Sequence, residues 1–170
     1  MTADTQQYKA TTTTPAEREI RIEREFDAPR DKVVATMLDP ELIPEWWGPH
    51  GTTTRVDYMD PQTGGRWRFV MVNDDGSEIG FLGAYREVSA PERIVQTFEW
   101  EGMPGHVSVE TAVFEDLGDR TKILTTTLFH TGEERDGMLD GGMARGLNES
   151  YARLDELLAR FDDSGSAPAS

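Results

Sequence analysis

The sequence contains no cysteine, which excludes disulfide bridges and cysteine-ligated metal sites. Positive charge is also scarce, because 17 Lys and Arg residues stand against 32 Asp and Glu residues and the net charge is -15. Nucleic-acid phosphates and anionic membranes repel such a chain, so we expect no nucleic-acid partner. No apolar run approaches the ~18 residues of a membrane span, and no leader-like segment follows Met1. We therefore expect a cytoplasmic protein without a membrane span.

Histidine is equally rare, and its 3 occurrences are poorly placed for shared chemistry. His50 lies in a loop, and the strand parity places His106 and His130 on opposite faces of a sheet. The sequence also lacks the HExxH pattern and any paired His and carboxylate spacing. We therefore assign no metal site, no cofactor and no catalytic residue, although proton transfer by His130 or Tyr85 stays open.

The two ends of the chain differ in composition from the middle. Residues 1–15 are rich in Thr and Gln, and residues 163–170 consist of Asp, Ser, Gly, Ala and Pro. Neither segment can bury enough apolar surface to offset the entropy of ordering. We expect disordered tails there and a single domain over residues 16–162.

The first part of this domain predicts one strand followed by two short helices. Ile20, Ile22 and Phe26 alternate with charged residues, which is typical of a half-buried strand. Pro29 then suits the first turn of a helix. Asp39-Pro40 ends that helix, and a second one runs to Trp46-Trp47.

In the first hairpin, the alternation of apolar and polar residues along each strand predicts which residues pair across the two strands. Asp74-Asp75-Gly76 fits a three-residue loop with Gly76 in the left-handed conformation. Phe69 then faces Phe81, and the apolar residues of both strands share one side.

A second hairpin turns at Gly118-Asp119. A two-residue turn pairs Val113 with Leu124 and Val109 with Leu128, and His130 shares their parity. We interpret this apolar side as the inward one.

The last third of the chain predicts a long amphipathic helix. One face carries apolar residues at helical spacing: Met143, Leu147, Tyr151, Leu154, Leu158 and Phe161. We expect an α+β fold in which this helix packs against one antiparallel sheet of about seven strands. Glycines in or just before the helix, among them Gly141, Gly142 and Gly146, provide space for a ligand or form a flexible loop before a helix that starts later.

Several motifs occur in an order typical of one protein family. They are Phe26-Asp27-Ala28-Pro29, Trp46-Trp47-Gly48-Pro49, Gly64-Gly65-Arg66-Trp67-Arg68-Phe69-Val70-Met71, Tyr85-Arg86-Glu87-Val88, Phe98-Glu99-Trp100 and Asn148-Glu149-Ser150-Tyr151-Ala152-Arg153-Leu154. The chain, from about Arg18 to Phe161, resembles homologues of the activator of the heat-shock-protein-90 ATPase in the START-like, birch-pollen-allergen-like (SRPBCC) superfamily. The resemblance implies a helix-grip fold, in which a curved sheet wraps the C-terminal helix. Leu147 departs from a common family pattern, which has Trp after the glycine.

For function, the resemblance implies several classes. The superfamily contains carriers of sterols and lipids, polyketide cyclases, hydrolases and oxygenase subunits. The chaperone activators of the family carry a further N-terminal domain that makes much of the chaperone contact, so we expect a chaperone contact to be weak here.

A ligand site is predicted between the sheet and the long helix. Its candidate residues are Trp47, Trp67, Phe69, Met71, Phe81, Tyr85, Phe98, Trp100, Val109, His130, Met143, Leu147 and Tyr151. Each aromatic residue among them also fits an ordinary core position. Arg24 falls on the inward side of the first strand, where it can orient a ligand carboxylate or pair with an internal acid such as Glu87.

We expect noncovalent binding of a small, mostly apolar molecule of the lipid, sterol or polyaromatic class. Two alternatives stay open. A co-chaperone or stress-response role predicts an exposed interaction patch. A cyclase-like or hydrolase-like enzyme predicts ionisable groups with perturbed pKa values that converge on the cavity.

Overall fold

The computed structural model describes residues 10–164, and the side chains up to residue 161. The strands are β1 Thr11–Thr13, β2 Glu19–Phe26, β3 Thr53–Met59, β4 Arg66–Val72, β5 Glu78–Ser89, β6 Arg93–Trp100, β7 Ser108–Asp116 and β8 Thr121–Leu128. The helices are α1 Arg30–Met37, α2 Ile43–Trp46, α3 Gly132–Asp140 and α4 Met143–Ser164.

The described strands form one antiparallel sheet in the order β1-β2-β8-β7-β6-β5-β4-β3. The sheet curves around α4, and the two short helices α1 and α2 lie between β2 and β3 in the chain. The predicted α+β helix-grip architecture is confirmed, with 8 strands in the sheet where about seven were predicted.

The additional strand is β1, which lies inside the segment predicted as a tail. Thr11 to Thr13 pair with residues 21–23 of β2 at the edge of the sheet. The Ala10 amide donates to the side-chain carbonyl of Asn148 on α4 at 3.1 Å. Composition does not indicate this strand, because the free edge of β2 offers backbone hydrogen bonds that need no apolar side chains.

The first strand and the first hairpin follow the predicted pattern. Ile20, Ile22 and Phe26 are at most 2 % exposed, so the inward face of β2 is as predicted. In the hairpin, Phe69 pairs with Phe81. Gly76 has a φ of 87°, which is the left-handed conformation that the three-residue loop requires.

The second hairpin has the predicted register but the opposite facing. Val109 pairs with Leu128 and Val113 with Leu124. However, Val113 is 37 % exposed and Leu128 39 % exposed, so this side faces outward. The inward side carries Ser108, Glu110, Ala112 and Phe114 on β7 and Thr121, Ile123, Thr125 and Thr127 on β8. The apolar outer set of Val109, Val113, Leu124 and Leu128 is called the outer stripe below.

The C-terminal region contains two helices rather than one. Helix α3 ends at Asp140 with Gly141 as its C-cap, and Gly142 has a φ of 86° before α4 begins at Met143. This left-handed residue breaks the helical hydrogen-bond pattern. A Cβ added at Gly146 would meet no atom within 4 Å, so that glycine faces open space.

The apolar face of α4 fills the core in its second half. Tyr151, Leu154 and Leu158 are at most 4 % exposed and belong to the same cluster as Phe26 of β2 and Val33 of α1. The predicted face of the helix is therefore confirmed for these residues.

We expect Leu154→Ala to lower the free energy of unfolding by about 2–5 kcal/mol, because it removes fully buried contacts and leaves a cavity. The matched control is Leu128→Ala, on the outer stripe, which we expect to cost about 1 kcal/mol or less. Urea unfolding of both variants measures the difference. Equal losses of stability would contradict the facing of α4 and β8.

Candidate functional site

Five aromatic side chains form a closed chain of contacts on the concave face of β4, β5 and β6, and we call this set the aromatic wall. Trp47 lies 5.1 Å from Phe69 and 5.4 Å from Phe81, measured between ring centroids. Trp67 lies 4.7 Å from Phe69 and 6.1 Å from Phe98, and Phe81 lies 5.4 Å from Phe98. These separations are typical of aromatic pairs that stabilise each other.

The position of Trp47 is fixed by hydrogen bonds between the loop after α2 and α4. The Gly48 amide donates to Ser150 Oγ at 2.9 Å, and Arg153 donates to the Gly48 carbonyl at 2.9 Å. The Thr54 hydroxyl donates to the Trp47 carbonyl at 2.7 Å. The motif Trp46-Trp47-Gly48-Pro49 therefore places one indole in the core and the next one on the wall.

Gly83 makes room for the deepest member of the wall. A Cβ at Gly83 would lie 2.7 Å from Trp67 Nε1 and 2.0 Å from the Thr97 carbonyl oxygen. Both separations are shorter than van der Waals contact, so a larger residue would displace the Trp67 ring.

Two rings of the wall are buried, and the other three are partly exposed. Trp67 is 1 % and Phe69 4 % exposed, whereas Trp47, Phe81 and Phe98 are only half-buried. Met143 and Leu147, on the first turns of α4, are half-buried as well. The half-buried rings and the first turns of α4 therefore border a partly exposed region, which is called the cavity below.

A polar row crosses the concave face beside the wall. Tyr85 pairs with Gln96, Gln96 with Glu110 and Glu110 with Thr127. Direct cross-strand partners point to the same side of a sheet, so these side chains share the concave face. The Gln96 amide hydrogen-bonds the Glu110 carboxyl group, yet burial raises the pKa of Glu110 to about 7.

Tyr151 of α4 adds a polar group to this region from the helix side. Its hydroxyl is hydrogen-bonded to Thr125, and burial together with the charge of Glu110 raises its pKa to about 12. Its ring packs edge-on against Phe26 at 5.1 Å. Tyr151 is therefore a neutral hydroxyl group at physiological pH.

Arg24 lies inward, as predicted, but its partner is Asp155 of α4. Arg24 NH1 and Asp155 Oδ2 are 2.5 Å apart. Glu87 instead pairs with Arg93 at 3.0 Å, so the suggested Glu87 partner is wrong. The β-bulge after Tyr85 changes the side on which Glu87 lies. Burial raises the pKa of Asp155, and the guanidinium of Arg24 opposes that rise.

The structure brings most of the predicted site residues to one face. Those on the concave side are Trp47, Trp67, Phe69, Met71, Phe81, Tyr85, Phe98, Met143, Leu147 and Tyr151. Trp100 pairs with Phe81 but is 40 % exposed, so it lies at the rim.

Two predicted site residues lie elsewhere. Val109 belongs to the outer stripe, on the opposite side of β7 from Glu110. The His130 side chain is exposed beyond the end of β8, and its backbone amide donates to Glu134. Both residues were misplaced for the same reason. The side of the second hairpin that carries its valines and leucines was taken as the inward one.

Four polar residues of the concave face were not predicted: Gln96, Glu110, Thr125 and Thr127. The position of Phe114 in the sequence could have indicated them. It shares the parity of Glu110, and an aromatic residue favours the buried face.

Two further findings limit the chemistry of the described region. Within residues 10–164, no three His, Asp or Glu side chains are grouped so that they could hold a metal ion. The helices in the same range are too short or too polar to cross a membrane.

A sheet that wraps a C-terminal helix and leaves a partly accessible concave face defines a START-like helix-grip protein. The chain belongs to the family described as Activator of Hsp90 ATPase homolog 1-like protein, whose model matches residues 27–159. Among curated proteins, no relative matches the chain.

Solved structures of bacterial proteins show the same fold. A Rhodobacter sphaeroides protein is 23% identical over 88% of this chain and 98% of its own, with a TM-score of 0.82. An Arthrobacter aurescens protein is 24% identical over 88% of this chain and 91% of its own, with a TM-score of 0.81. The AHSA1 protein from Silicibacter pomeroyi is 25% identical over 83% of this chain and 97% of its own, with a TM-score of 0.69.

The raised pKa of Glu110 predicts a pH-dependent stability. The unfolded chain releases this proton near the ordinary pKa of 4.5, whereas the folded protein holds it to about 7. The associated stability is therefore present below about pH 4.5 and is lost as the pH rises through about 7, a change of about 3 kcal/mol. We expect Glu110→Gln to remove this pH dependence and to gain stability relative to wild type as the pH rises.

Urea unfolding at about pH 5 and about pH 8 measures this difference. Glu115→Gln is the matched control, because Glu115 lies on the same strand and is exposed on the outer side. It is expected to follow the wild-type pH profile. A Glu110→Gln profile parallel to wild type would contradict the placement of Glu110.

Proposed function

We propose that this protein binds a small, mostly apolar molecule noncovalently in the cavity between the aromatic wall and the first half of α4. The molecule belongs to the lipid, sterol or polyaromatic class. The observation that carries the proposal is the incomplete burial of Trp47, Phe81 and Phe98 on a concave face. The fold of the family is consistent with ligand binding.

The energetics also support binding at this place. The aromatic wall is held by β-strands and by hydrogen bonds to α4, so little conformational entropy is lost when a ligand packs on it. Covering the half-exposed rings and Leu147 removes apolar surface from water, at about 25 cal/mol per Å². Shape and apolar contact therefore provide affinity, and the polar row selects among ligands.

We expect a neutral apolar fluorescent probe such as Nile red to bind saturably at about one site per chain, because such sites are few in a protein. Binding is expected to change tryptophan emission, since Trp47 lies on the wall. Fatty acids, sterols or polyaromatic compounds are expected to displace the probe. Absence of saturable binding across this panel would contradict the proposal.

Leu147→Trp tests whether the cavity is open. The indole is expected to fill the space, so probe binding is lost while the melting temperature is unchanged or higher. In a filled interior the same substitution would cost about 1–3 kcal/mol. Leu128→Trp on the outer stripe is the matched control and is expected to keep probe binding. Strong destabilisation by Leu147→Trp alone would contradict an open cavity.

A second candidate function is contact with a protein partner, such as a chaperone, through the outer stripe. The supporting observation is the exposure of Val113 and Leu128 on the convex side. Calorimetry with the Hsp90-type chaperone of the same host tests this candidate. Val113→Asp is expected to weaken such binding, and Leu147→Trp is expected to leave it unchanged.

An enzyme that uses the same cavity is supported by the pKa of Glu110 near neutrality and by its proximity to Tyr151. Proton transfer by Glu110 would be such an activity. Turnover of bound compounds, abolished by Glu110→Gln, is the result that would favour this candidate over simple binding.

A further inference from the structure

Glu110 lies in the middle of the concave face, where a ligand of the cavity would meet it. Its neighbours across the strands are Gln96 on one side and Thr127 on the other. The aromatic wall occupies the strands beyond Gln96, and Tyr151 of α4 lies close enough for the charge of Glu110 to raise its pKa. The carboxyl group therefore lies at the boundary between the apolar and the polar parts of the site.

Among the described side chains, none that faces Glu110 carries an unpaired positive charge. Gln96, Thr127 and Tyr151 face it from β6, β8 and α4, and each of these side chains is neutral at physiological pH. Arg24 of β2 is held by Asp155 at 2.5 Å, and its side chain is 3% exposed. Within residues 10–164, the contact of Glu110 that offsets its burial is the Gln96 hydrogen bond. An ionised Glu110 consequently lacks a counter-ion from the described part of the chain.

We propose that Glu110 is the counter-ion of a protonated amine on an aromatic ligand that occupies the cavity, and this proposal rests on the ligand-binding function proposed above. A protonated amine supplies the missing charge in a site of low dielectric constant, where an ion pair is strong. The aromatic wall favours a cation further, because ring faces attract positive charge. The net charge of -15 also favours the approach of a cation.

A neutral acid that donates a hydrogen bond to a ligand carbonyl or hydroxyl is the rival arrangement. The two arrangements differ in their pH dependence. An amine binds the ionised carboxylate, so its binding displaces the proton that Glu110 holds below about pH 7. A hydrogen-bond acceptor binds the protonated acid, so its affinity falls as the pH rises.

The experiment compares 2-(aminomethyl)naphthalene with 2-(hydroxymethyl)naphthalene, which have the same ring and similar size. Binding of each is measured by calorimetry at about pH 6 and about pH 8, with Nile red displacement as a second readout. The proteins are wild type, Glu110→Gln and the control Glu115→Gln. Melting temperatures verify that each variant is folded.

For the wild type, we expect the amine to bind about tenfold more tightly at about pH 8 than at about pH 6, because a carboxyl group of pKa about 7 is largely ionised only at the higher pH. The amine is also expected to bind at least about tenfold more tightly than the alcohol at about pH 8. Glu110→Gln is expected to remove both differences and to keep alcohol binding. Glu115→Gln is expected to keep both.

Three results overturn the proposal while the binding function stands. One is equal affinity of the amine and the alcohol for the wild type together with displacement of Nile red. Another is a preference for the amine that persists in folded Glu110→Gln. The third is tighter alcohol binding at about pH 6 that depends on Glu110, which would favour the neutral acid. Absence of binding by Nile red and by both naphthalene compounds would instead contradict the proposed function itself.

Discussion

The packing of the second half of α4 against β2 and α1 is the interaction on which the rest of the structure depends. Leu154 and Leu158 are at most 2 % exposed, and Phe26 packs edge-on against Tyr151. The ion pair between Arg24 and Asp155 joins the same two elements. The first half of the helix extends over the concave sheet, where Met143 and Leu147 are half-buried. The aromatic wall and the polar row both lie on this concave side, and a ligand with both an apolar ring and a polar group would match them.

Most of the fold could be predicted from the sequence because its signals are local. Alternation in β2, the loop at Gly76 and the helical spacing of Tyr151, Leu154 and Leu158 each depend on a few neighbouring residues. Two features could not be predicted in this way. Strand β1 depends on the free edge of a distant strand, and the break between α3 and α4 depends on the backbone conformation of Gly142. Both are decided by the folded structure rather than by composition.

The site was predictable where its residues are aromatic and was missed where they are polar. Parity gave the correct register for β7 and β8, but parity alone does not say which face is buried. The usual assumption that valine and leucine point inward failed because the buried face carries Glu110, Thr125 and Thr127. Polar side chains on a concave face are stable when they hydrogen-bond to each other or line a space that admits water or a ligand. The reversed facing therefore places these polar groups on the side of the sheet that faces α4.

In the proposed binding mode, a ligand enters the region between the concave sheet and the first half of α4. The most direct measurement is the set of intermolecular nuclear Overhauser effects between a bound neutral naphthalene probe and assigned methyl groups. We expect effects to Ala112, Met143 and Leu147, all of which are half-buried on the concave side. Effects to Val113 and Leu128 of the outer stripe, without effects to the concave set, would contradict this binding mode.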